Sequence, residues 1–285
     1  MNCFQSELLI EAVESATGGI KMQEREFPGG KVTVVRLKEK NEFHRPAGEY
    51  TTVELSQVQR LQDDALEEAV RQISDILLRY IVGEKVLVAA LGNNDITPDS
   101  LGPKMMSHLM ITRPYEQIAP EQLGKGRLRS VSAICTNVFG ATGVESAEMI
   151  CGVARQIRPD CVIVIDALAT AHLSRLCSTV QIADSGITPG GGVGNHRLSI
   201  DEKTLGVPVI SIGMPTVMNG QTLASFLTED EQKIQKVLSP FESDLIVTPT
   251  QIGSATDNGA KLIAFSLNRA LHYRMSVEDM LKYLS

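Results

Sequence analysis

Two aspartates follow short apolar runs that are typical of buried β-strands. Asp99 lies a short loop after the run at 85–91, and Asp166 is the first polar residue after the run at 161–165. In an open parallel sheet, ligands bind in the crevice beyond the carboxyl ends of the strands. Two carboxylates in one crevice do not both ionise readily, so one can activate water while the other donates a proton. Asp99 and Asp166 are therefore the candidate catalytic pair for hydrolysing a peptide bond.

Each of these acidic residues, and Glu145 as well, also has a purely structural explanation. Asp99 follows a Thr-Pro pair that favours a helix start, where a negative charge is stabilised by the helix dipole. Asp166 could cap whatever follows its strand. Glu145 completes a capping box opened by Thr142, which explains it without a ligand role.

A glycine-rich loop at 189–195 is a second feature of interest. It does not directly follow a strand and open a helix, so it is not a dinucleotide-binding fingerprint. Its backbone N–H groups could hold a substrate strand or an oxyanion, and the alternative is a plain surface turn. The candidate substrate-binding or supporting residues are Asn93, Glu145, Gly191, Gly192, Asn195 and His196.

Several catalytic patterns are missing from the sequence. It contains no H-E-x-x-H, no G-x-S-x-G and no C-x-x-C, and its five cysteines are an odd number. Cys135 and Cys161 are expected to be packed in strands. No cofactor is predicted, and a divalent metal at Asp99 and Asp166 is the open alternative.

Short apolar runs alternate with helical patterns along the chain. Strands are predicted at 31–37, 50–55, 85–91, 131–136, 161–165 and 207–212, with the last two closed by Asp166 and by Gly213. Helices are predicted at 62–82, from Thr97 onward and from Thr142 onward. This alternation indicates one α/β domain whose parallel sheet is covered on both faces, with a small β region near the N-terminus.

The composition limits the partners. The 285 residues carry a formal net charge of −7 and no dense basic run, which argues against nucleic acid or an anionic membrane as the main partner. No apolar run is long enough to span a bilayer, and the N-terminus lacks a signal-peptide pattern. A reducing cytoplasm is the expected location.

Five segments, in order, resemble the germination proteases of bacterial spores. They are residues 91–93 with 97–103 (Leu-Gly-Asn and Thr-Pro-Asp-Ser-Leu-Gly-Pro), 162–169, 184–187 with 189–195, 204–210 with 213–217, and 245–249. Each segment alone is weak evidence for a resemblance to this family, but all five in this order are specific.

The resemblance implies an endopeptidase that degrades small acid-soluble spore proteins during germination, in the cytoplasm of the forespore and the spore core. It implies a three-layer α/β/α sandwich with a mostly parallel sheet and a small N-terminal β elaboration, similar to hydrogenase-maturation endopeptidases. It also implies a homotetramer made as a zymogen. Asp99 and Asp166 match the pair proposed to be catalytic in the family, and an aspartic-like mechanism is favoured because the sequence offers carboxylates and no metal-ligand cluster.

The resemblance also implies a processing site. The family cuts itself after an acidic residue that is followed by an apolar residue and then by Glu three positions on. Glu7, Leu8 and Glu11 fit this form, which gives a short prosegment at 1–7 and a peptidase domain at 8–285. The alternative is an ordinary amphipathic N-terminus, and a seven-residue prosegment is short for the family.

Two rival functions follow from the same residues. The first is a metal-dependent maturation-type peptidase in which Asp99 and Asp166 grip a metal ion with Glu145 or His196. The second is a catalytically silent spore scaffold or binding protein.

Overall fold

Four parallel strands form one end of a single β-sheet in the computed structural model, which describes residues 6–16, 20–56, 64–124, 128–189, 198–228, 230–241 and 245–284. The strand order is β1-β2-β3-β7-β8-β6-β4-β5, and β9 pairs with the end of β8. The strands are β1 Met22–Phe27, β2 Gly30–Leu37, β3 Gly48–Leu55, β4 Lys85–Ala90, β5 Ser130–Cys135, β6 Cys161–Thr170, β7 Thr179–Ala183, β8 Val209–Asn219 and β9 Ile246–Val247.

The N-terminal β region extends this same sheet. β1, β2 and β3 form an antiparallel meander, and β3 joins the parallel strands through β7, which runs antiparallel to both β3 and β8. The predicted strands at 31–37 and 50–55 are confirmed as β2 and β3. The expected N-terminal elaboration is therefore part of the main sheet rather than a separate layer.

Helices cover both faces of the sheet. They are α1 Leu9–Ser15, α2 Asp64–Leu77, α3 Leu101–Met106, α4 Tyr115–Ile118, α5 Phe139–Thr142, α6 Ser146–Ile157, α7 Glu202–Leu205, α8 Gly220–Ser225, α9 Glu231–Leu238, α10 Ile252–Leu271 and α11 Val277–Leu284. α2, α3 and α10 pack on one face and α6 on the other, which confirms the three-layer α/β/α fold. Among the described helices, none has both the length and the apolar character needed to cross a membrane.

Strand β6 is packed on both faces, which explains why its sequence is a continuous apolar run. Ile163 and Ile165 face α2 and α10, whereas Val162 and Val164 face α6, and all four are fully buried. A strand covered on both faces needs apolar side chains at every position. Because side chains alternate along a strand, Asp166 lies on the α6 side of the sheet.

Two strand ends differ from the prediction. β6 and β8 continue past Asp166 and Gly213 because they pair with each other as far as Thr170 and Met218, with an irregularity after Leu168. Asp166 is therefore inside a strand and does not end it. The helix predicted at 62–82 ends earlier, at Leu77, and its first two residues lie outside the described part of the chain.

Candidate active site

Asp99 lies on a short 3-10 turn, Thr97–Asp99, in the loop after β4. The Asn93 N–H donates to Asp99 Oδ2 at 2.9 Å and to the Asp99 carbonyl oxygen at 3.1 Å. Thr97 was predicted to cap a helix, and this is wrong: Ile96 precedes the turn, and α3 begins only at Leu101. Asn93, a predicted substrate-binding residue, contributes here to the loop that positions the half-buried Asp99 carboxylate.

Gly92 permits this loop to close. Its φ is +105°, and a Cβ at this position would lie 2.1 Å from the Asp99 carbonyl oxygen and 3.1 Å from Asp99 Oδ1. Only glycine adopts this conformation without strain and lets another backbone approach so closely. The position of Asp99 therefore depends on the absence of a side chain at Gly92, seven residues earlier.

Asp166 is held by the sheet itself. It follows the last β4–β6 pair, Ala90 with Ile165, and is in register with Gly213 of β8. Its side chain is 7% exposed, and its Oδ1 accepts a hydrogen bond from the Ala167 N–H at 2.9 Å.

The fold brings the two aspartates to the same edge of the sheet. The Leu91 N–H donates to the Ile165 carbonyl at 2.8 Å, which ties the end of β4 to the residue before Asp166. The turn that carries Asp99 has Cα atoms within 8 Å of both β6 and β8. The parallel pairing of β4 and β6 thus puts both residues at one edge of the sheet, and the crevice they share stays a prediction.

Glu145 is the N-cap residue of α6. Its N–H donates to the Glu148 carboxylate at 3.0 Å. The capping box predicted to open at Thr142 is wrong, because Thr142 ends α5 and its hydroxyl accepts a hydrogen bond from the Val144 N–H at 3.2 Å. The helix starts three residues later than predicted, so Glu145 begins the capping arrangement instead of completing it.

The glycine loop lies outside the described residues. Gly191, Gly192, Asn195 and His196 all fall in 190–197, and their roles stay predictions. Of the residues that the structure describes, no three His, Cys, Asp or Glu side chains are grouped so that they could hold a metal ion.

The cysteine prediction holds only in part. Cys161 is buried as expected, and burial raises the pKa of its thiol to about 11. A thiol with this pKa stays protonated near neutral pH and is a poor nucleophile. Cys135 was also expected to be packed, but it is exposed because it ends β5, the edge strand of the sheet.

Glu7 and Leu8, the predicted processing site, are packed against β6 and β7. Leu8 is fully buried, the Glu7 N–H donates to the Ala169 carbonyl at 3.0 Å, and the Ala169 N–H donates to Glu7 Oε2 at 2.8 Å. The Glu7 carbonyl accepts from Gln181 Nε2 at 3.1 Å. No local pattern in the sequence points to Gln181, because it lies 174 residues from Glu7 along the chain.

A pocket of about 250 Å³ lies beside these residues on the Asp166 side of the sheet. Its walls include Glu7, Leu168, Gln181 and Gly213. Gly213 is in register with Asp166, and paired residues present their side chains to the same face, so the pocket adjoins the Asp166 strand position.

Comparisons with a family model and with individual proteins point to the same family. The germination protease family model matches residues 3–228 and 226–284. The germination protease of Clostridium acetobutylicum is 34% identical over 100% of both chains, and that of Caldanaerobacter subterraneus is 37% identical over 97% of this chain and 96% of its own. A solved NiFe hydrogenase maturation protease from Thermococcus kodakarensis is 17% identical, with a TM-score of 0.37 over 68% of this chain and 99% of its own. The chain belongs to the germination protease family and is a peptidase.

Proposed function

We propose that this protein is the endopeptidase that begins the degradation of small acid-soluble spore proteins at germination, in the cytoplasm of the spore core. Support comes from the match to germination proteases over the whole chain. The observation that carries the mechanism is the position of Asp99 and Asp166 at one edge of the sheet. Homotetramer assembly is part of the proposal and is tested by light scattering coupled to gel filtration.

The mechanism uses the two aspartates as a water-activating pair. Each carboxylate accepts a backbone N–H, from Asn93 for Asp99 and from Ala167 for Asp166, and these bonds fix the orientation of the two groups. The ionised carboxylate takes a proton from a water molecule, whose oxygen attacks the peptide carbonyl. The protonated carboxyl donates its proton to the carbonyl oxygen, which gives a tetrahedral diol. The first carboxyl then passes the proton it took from water to the leaving nitrogen, and the second carboxylate takes a proton from the diol as the C–N bond breaks, so both groups return to their starting states.

The surroundings of the pair favour such chemistry. Asp166 is nearly enclosed by the sheet and by the loops at its carboxyl edge, and electrostatic interactions are stronger where water is excluded. Asp99 lies on a loop and is only half-buried, so part of it remains accessible to solvent.

Self-processing at Glu7–Leu8 remains part of the proposal. The bond is engaged by Gln181 and by Ala169, and Leu8 is fully buried, so cleavage in solution would require this segment to leave its present position.

One experiment tests the function directly. Purified protein is incubated with a small acid-soluble spore protein, and the fragments are mapped by mass spectrometry with and without a chelator. Cuts after Glu or Asp that are unaffected by the chelator are expected. Cleavage that stops with the chelator and returns with added metal would favour the metal-dependent alternative, and no cleavage at all would favour the silent scaffold.

A further inference from the structure

Asp99 belongs to a continuous hydrogen-bonded stretch of chain that runs from Thr97 to Lys104. The Ser100 N–H donates to the Thr97 carbonyl at 3.3 Å, and the Ser100 hydroxyl donates to the same oxygen at 2.7 Å. The Lys104 N–H donates to the Ser100 carbonyl at 3.0 Å, which joins the 3-10 turn to α3. We call residues 97–104 the Asp99 unit. Because it is hydrogen-bonded throughout, a displacement of α3 also displaces the Asp99 carboxylate.

The end of β4 holds the Asp99 unit against the sheet. Besides the bonds from Asn93 to Asp99, Gly102 approaches the strand so closely that a Cβ there would lie 2.3 Å from the Leu91 carbonyl oxygen. The 3-10 turn and α3 also both have Cα atoms within 8 Å of α10. The position of the unit therefore depends on α10 as well as on β4.

Lys104 binds the first turns of α10 through its side chain. Its Nζ donates to Asp257 Oδ1 at 2.7 Å, to Thr256 Oγ1 at 2.9 Å and to the Gly253 carbonyl at 3.4 Å. Thr256 is fully buried, and its hydroxyl lies 3.0 Å from the Ile252 carbonyl oxygen in the same helix. The three ammonium protons of Lys104 thus have three oxygen acceptors on α10.

The contact with Thr256 makes this more than a surface ion pair. An exposed pair contributes little, because solvent screens the charges and two flexible side chains must be immobilised. Here the Lys104 side chain is 26% exposed, and one of its acceptors is a buried hydroxyl whose own position is set by the helix. The ammonium group is therefore held at a defined point on α10, which sets the distance between α10 and the Asp99 unit.

Asn268 joins α10 to the chain at the other end of α3. Its Oδ1 accepts from the Met110 N–H at 2.9 Å, and its Nδ2 donates to the His108 carbonyl at 2.8 Å. Asn268 is fully buried. The same two segments are thus joined by polar contacts before and after the end of α3, and the contacts of Asn268 lie outside the Asp99 unit.

We infer that Lys104 is a positioning residue for the peptidase reaction, whose contacts with Thr256 and Asp257 hold the Asp99 unit on α10 and so fix the Asp99 carboxylate in its reactive position. This inference rests on the proposed function, which gives Asp99 its catalytic role. Lys104 acts through Asp99 and has no contact with the substrate, since its protons are directed at α10. Its loss should therefore slow the chemical step and leave substrate binding unchanged.

Steady-state cleavage of a small acid-soluble spore protein tests the inference. Lys104→Met keeps the length of the side chain and removes its charge and hydrogen bonds. We expect kcat to fall on the order of tenfold and KM to change by less than about twofold, because a misplacement of about 1 Å at a catalytic group costs up to about 100-fold in rate. An unchanged kcat in the folded variant, or an effect on KM alone, would overturn the inference.

Asn268→Ala is the matched control for a loss of contacts between the same two segments. It leaves the buried Met110 N–H and His108 carbonyl without their partner, so it should lower stability in urea unfolding at least as much as Lys104→Met. At a temperature where both variants are folded, Asn268→Ala should keep the kcat of the unmodified protein. An equal loss of kcat in the two variants would mean that general loosening of α3 explains the effect, and would refute the positioning role of Lys104.

Variants of Asp257 separate the contact from the charge of Lys104. Asp257→Asn removes the ion pair and leaves the lysine charged, and it should lower kcat in the same direction as Lys104→Met. The double variant should be no slower than Lys104→Met within about twofold, because both changes remove one contact. Asp257→Glu keeps the carboxylate and should restore most of the activity that Asp257→Asn loses.

Two results with the Asp257 variants would contradict the inference. An unchanged or raised kcat in Asp257→Asn would mean that Lys104 acts through its charge and not through its contact with α10. Losses that multiply in the double variant would mean that the two residues act separately. If Lys104→Met does not fold, Asp257→Asn and Asp257→Glu still decide the question, because the Asp257 side chain is half-exposed.

Hydrogen exchange separates this inference from the proposed function. The Asn93 N–H is bound by Asp99, so exchange in peptides covering residues 91–100, measured by mass spectrometry, should rise at least about fivefold in Lys104→Met and not in Asn268→Ala. If the unmodified protein cleaves no substrate, the proposed function fails, and exchange still decides whether Lys104 holds the Asp99 unit. If substrates are cleaved and Lys104→Met changes neither exchange nor kcat, the proposed function stands and the positioning role is refuted.

Discussion

Replacing Gly92 by alanine should displace Asp99 and impair catalysis without touching either carboxylate. The added Cβ would lie 2.1 Å from the Asp99 carbonyl oxygen, in a backbone with φ of +105°. The left-handed conformation costs an L-residue roughly 1–2 kcal/mol, and overpacking adds about 1–3 kcal/mol. We therefore expect Gly92→Ala to lower the free energy of unfolding by about 2–5 kcal/mol.

The loss of activity should exceed what this loss of stability explains. Relief of the clash moves the Asp99 loop away from β4, and a displacement of about 1 Å at a catalytic group costs on the order of 100-fold in rate. Gly206→Ala is the matched control, because Gly206 also has a positive φ (+74°) but its Cβ would meet nothing within 4 Å.

Urea unfolding and kcat/KM on an acid-soluble spore protein are compared for both variants at a temperature where both are folded. Gly206→Ala should lose stability and keep its activity. If Gly92→Ala is as active as Gly206→Ala, Asp99 does not depend on the close approach to Gly92, and the argument for its placement is wrong.

Three further predictions follow from buried contacts. Gly213→Ala would place a Cβ 2.5 Å from Leu168 in the pocket wall, and should lower peptidase activity and cost about 1–3 kcal/mol of stability in urea unfolding. Burial lowers the pKa of His272 to about 4 from 6.5, so the unfolded chain binds a proton that the folded protein excludes. Stability should fall by up to about 3 kcal/mol as the pH drops from 6.5 to 4, and His272→Gln should reduce this dependence in urea titrations. Hydrogen bonds to Arg175 lower the pKa of Glu14, so the contact of residues 6–15 with the sheet is fully formed above the ordinary carboxyl pKa and is lost as the pH falls through the lowered pKa. Limited proteolysis of this segment should therefore be slow at pH 6 and fast at pH 3. In Glu14→Gln the segment should be cleaved readily at both pH values.

The sequence predicts the strands that are buried on both faces. β4, β5 and the first half of β6 are confirmed within a residue or two, because continuous apolar runs bounded by polar residues leave little freedom in register. The grouping of Asp99 and Asp166 follows from the same pattern, since parallel strands share a carboxyl edge.

The second half of β6 and the whole of β7 are harder to predict from the sequence. Residues after Ile165 join the sheet only because β8 continues beside them, and the Gly-Met-Pro sequence that begins at Gly213 reads locally as a strand end. α10 was not predicted, because its buried residues surround much of the helix and leave no clear one-sided stripe.

The set of contacts that holds residues 6–15 on β6 and β7 could not be predicted from local patterns. It joins Glu7 to Gln181 and Glu11 to Ala171, across 174 and 160 positions of sequence. A carboxylate bound by backbone N–H groups does not require any particular residue type as the donor, because every non-proline residue carries the same N–H group. Only Arg175 is distinctive, and its burial depends on three glutamates from distant segments.

The most direct test of the mechanism removes each carboxylate charge while keeping its shape. Asp99→Asn and Asp166→Asn are compared with the unmodified protein for cleavage of a small acid-soluble spore protein, with circular dichroism to verify that each variant is folded. Both folded variants should lose cleavage by at least about 100-fold, because each removes a group that accepts or donates a proton. Cleavage at the unmodified rate by either folded variant would contradict the carboxylate-pair mechanism.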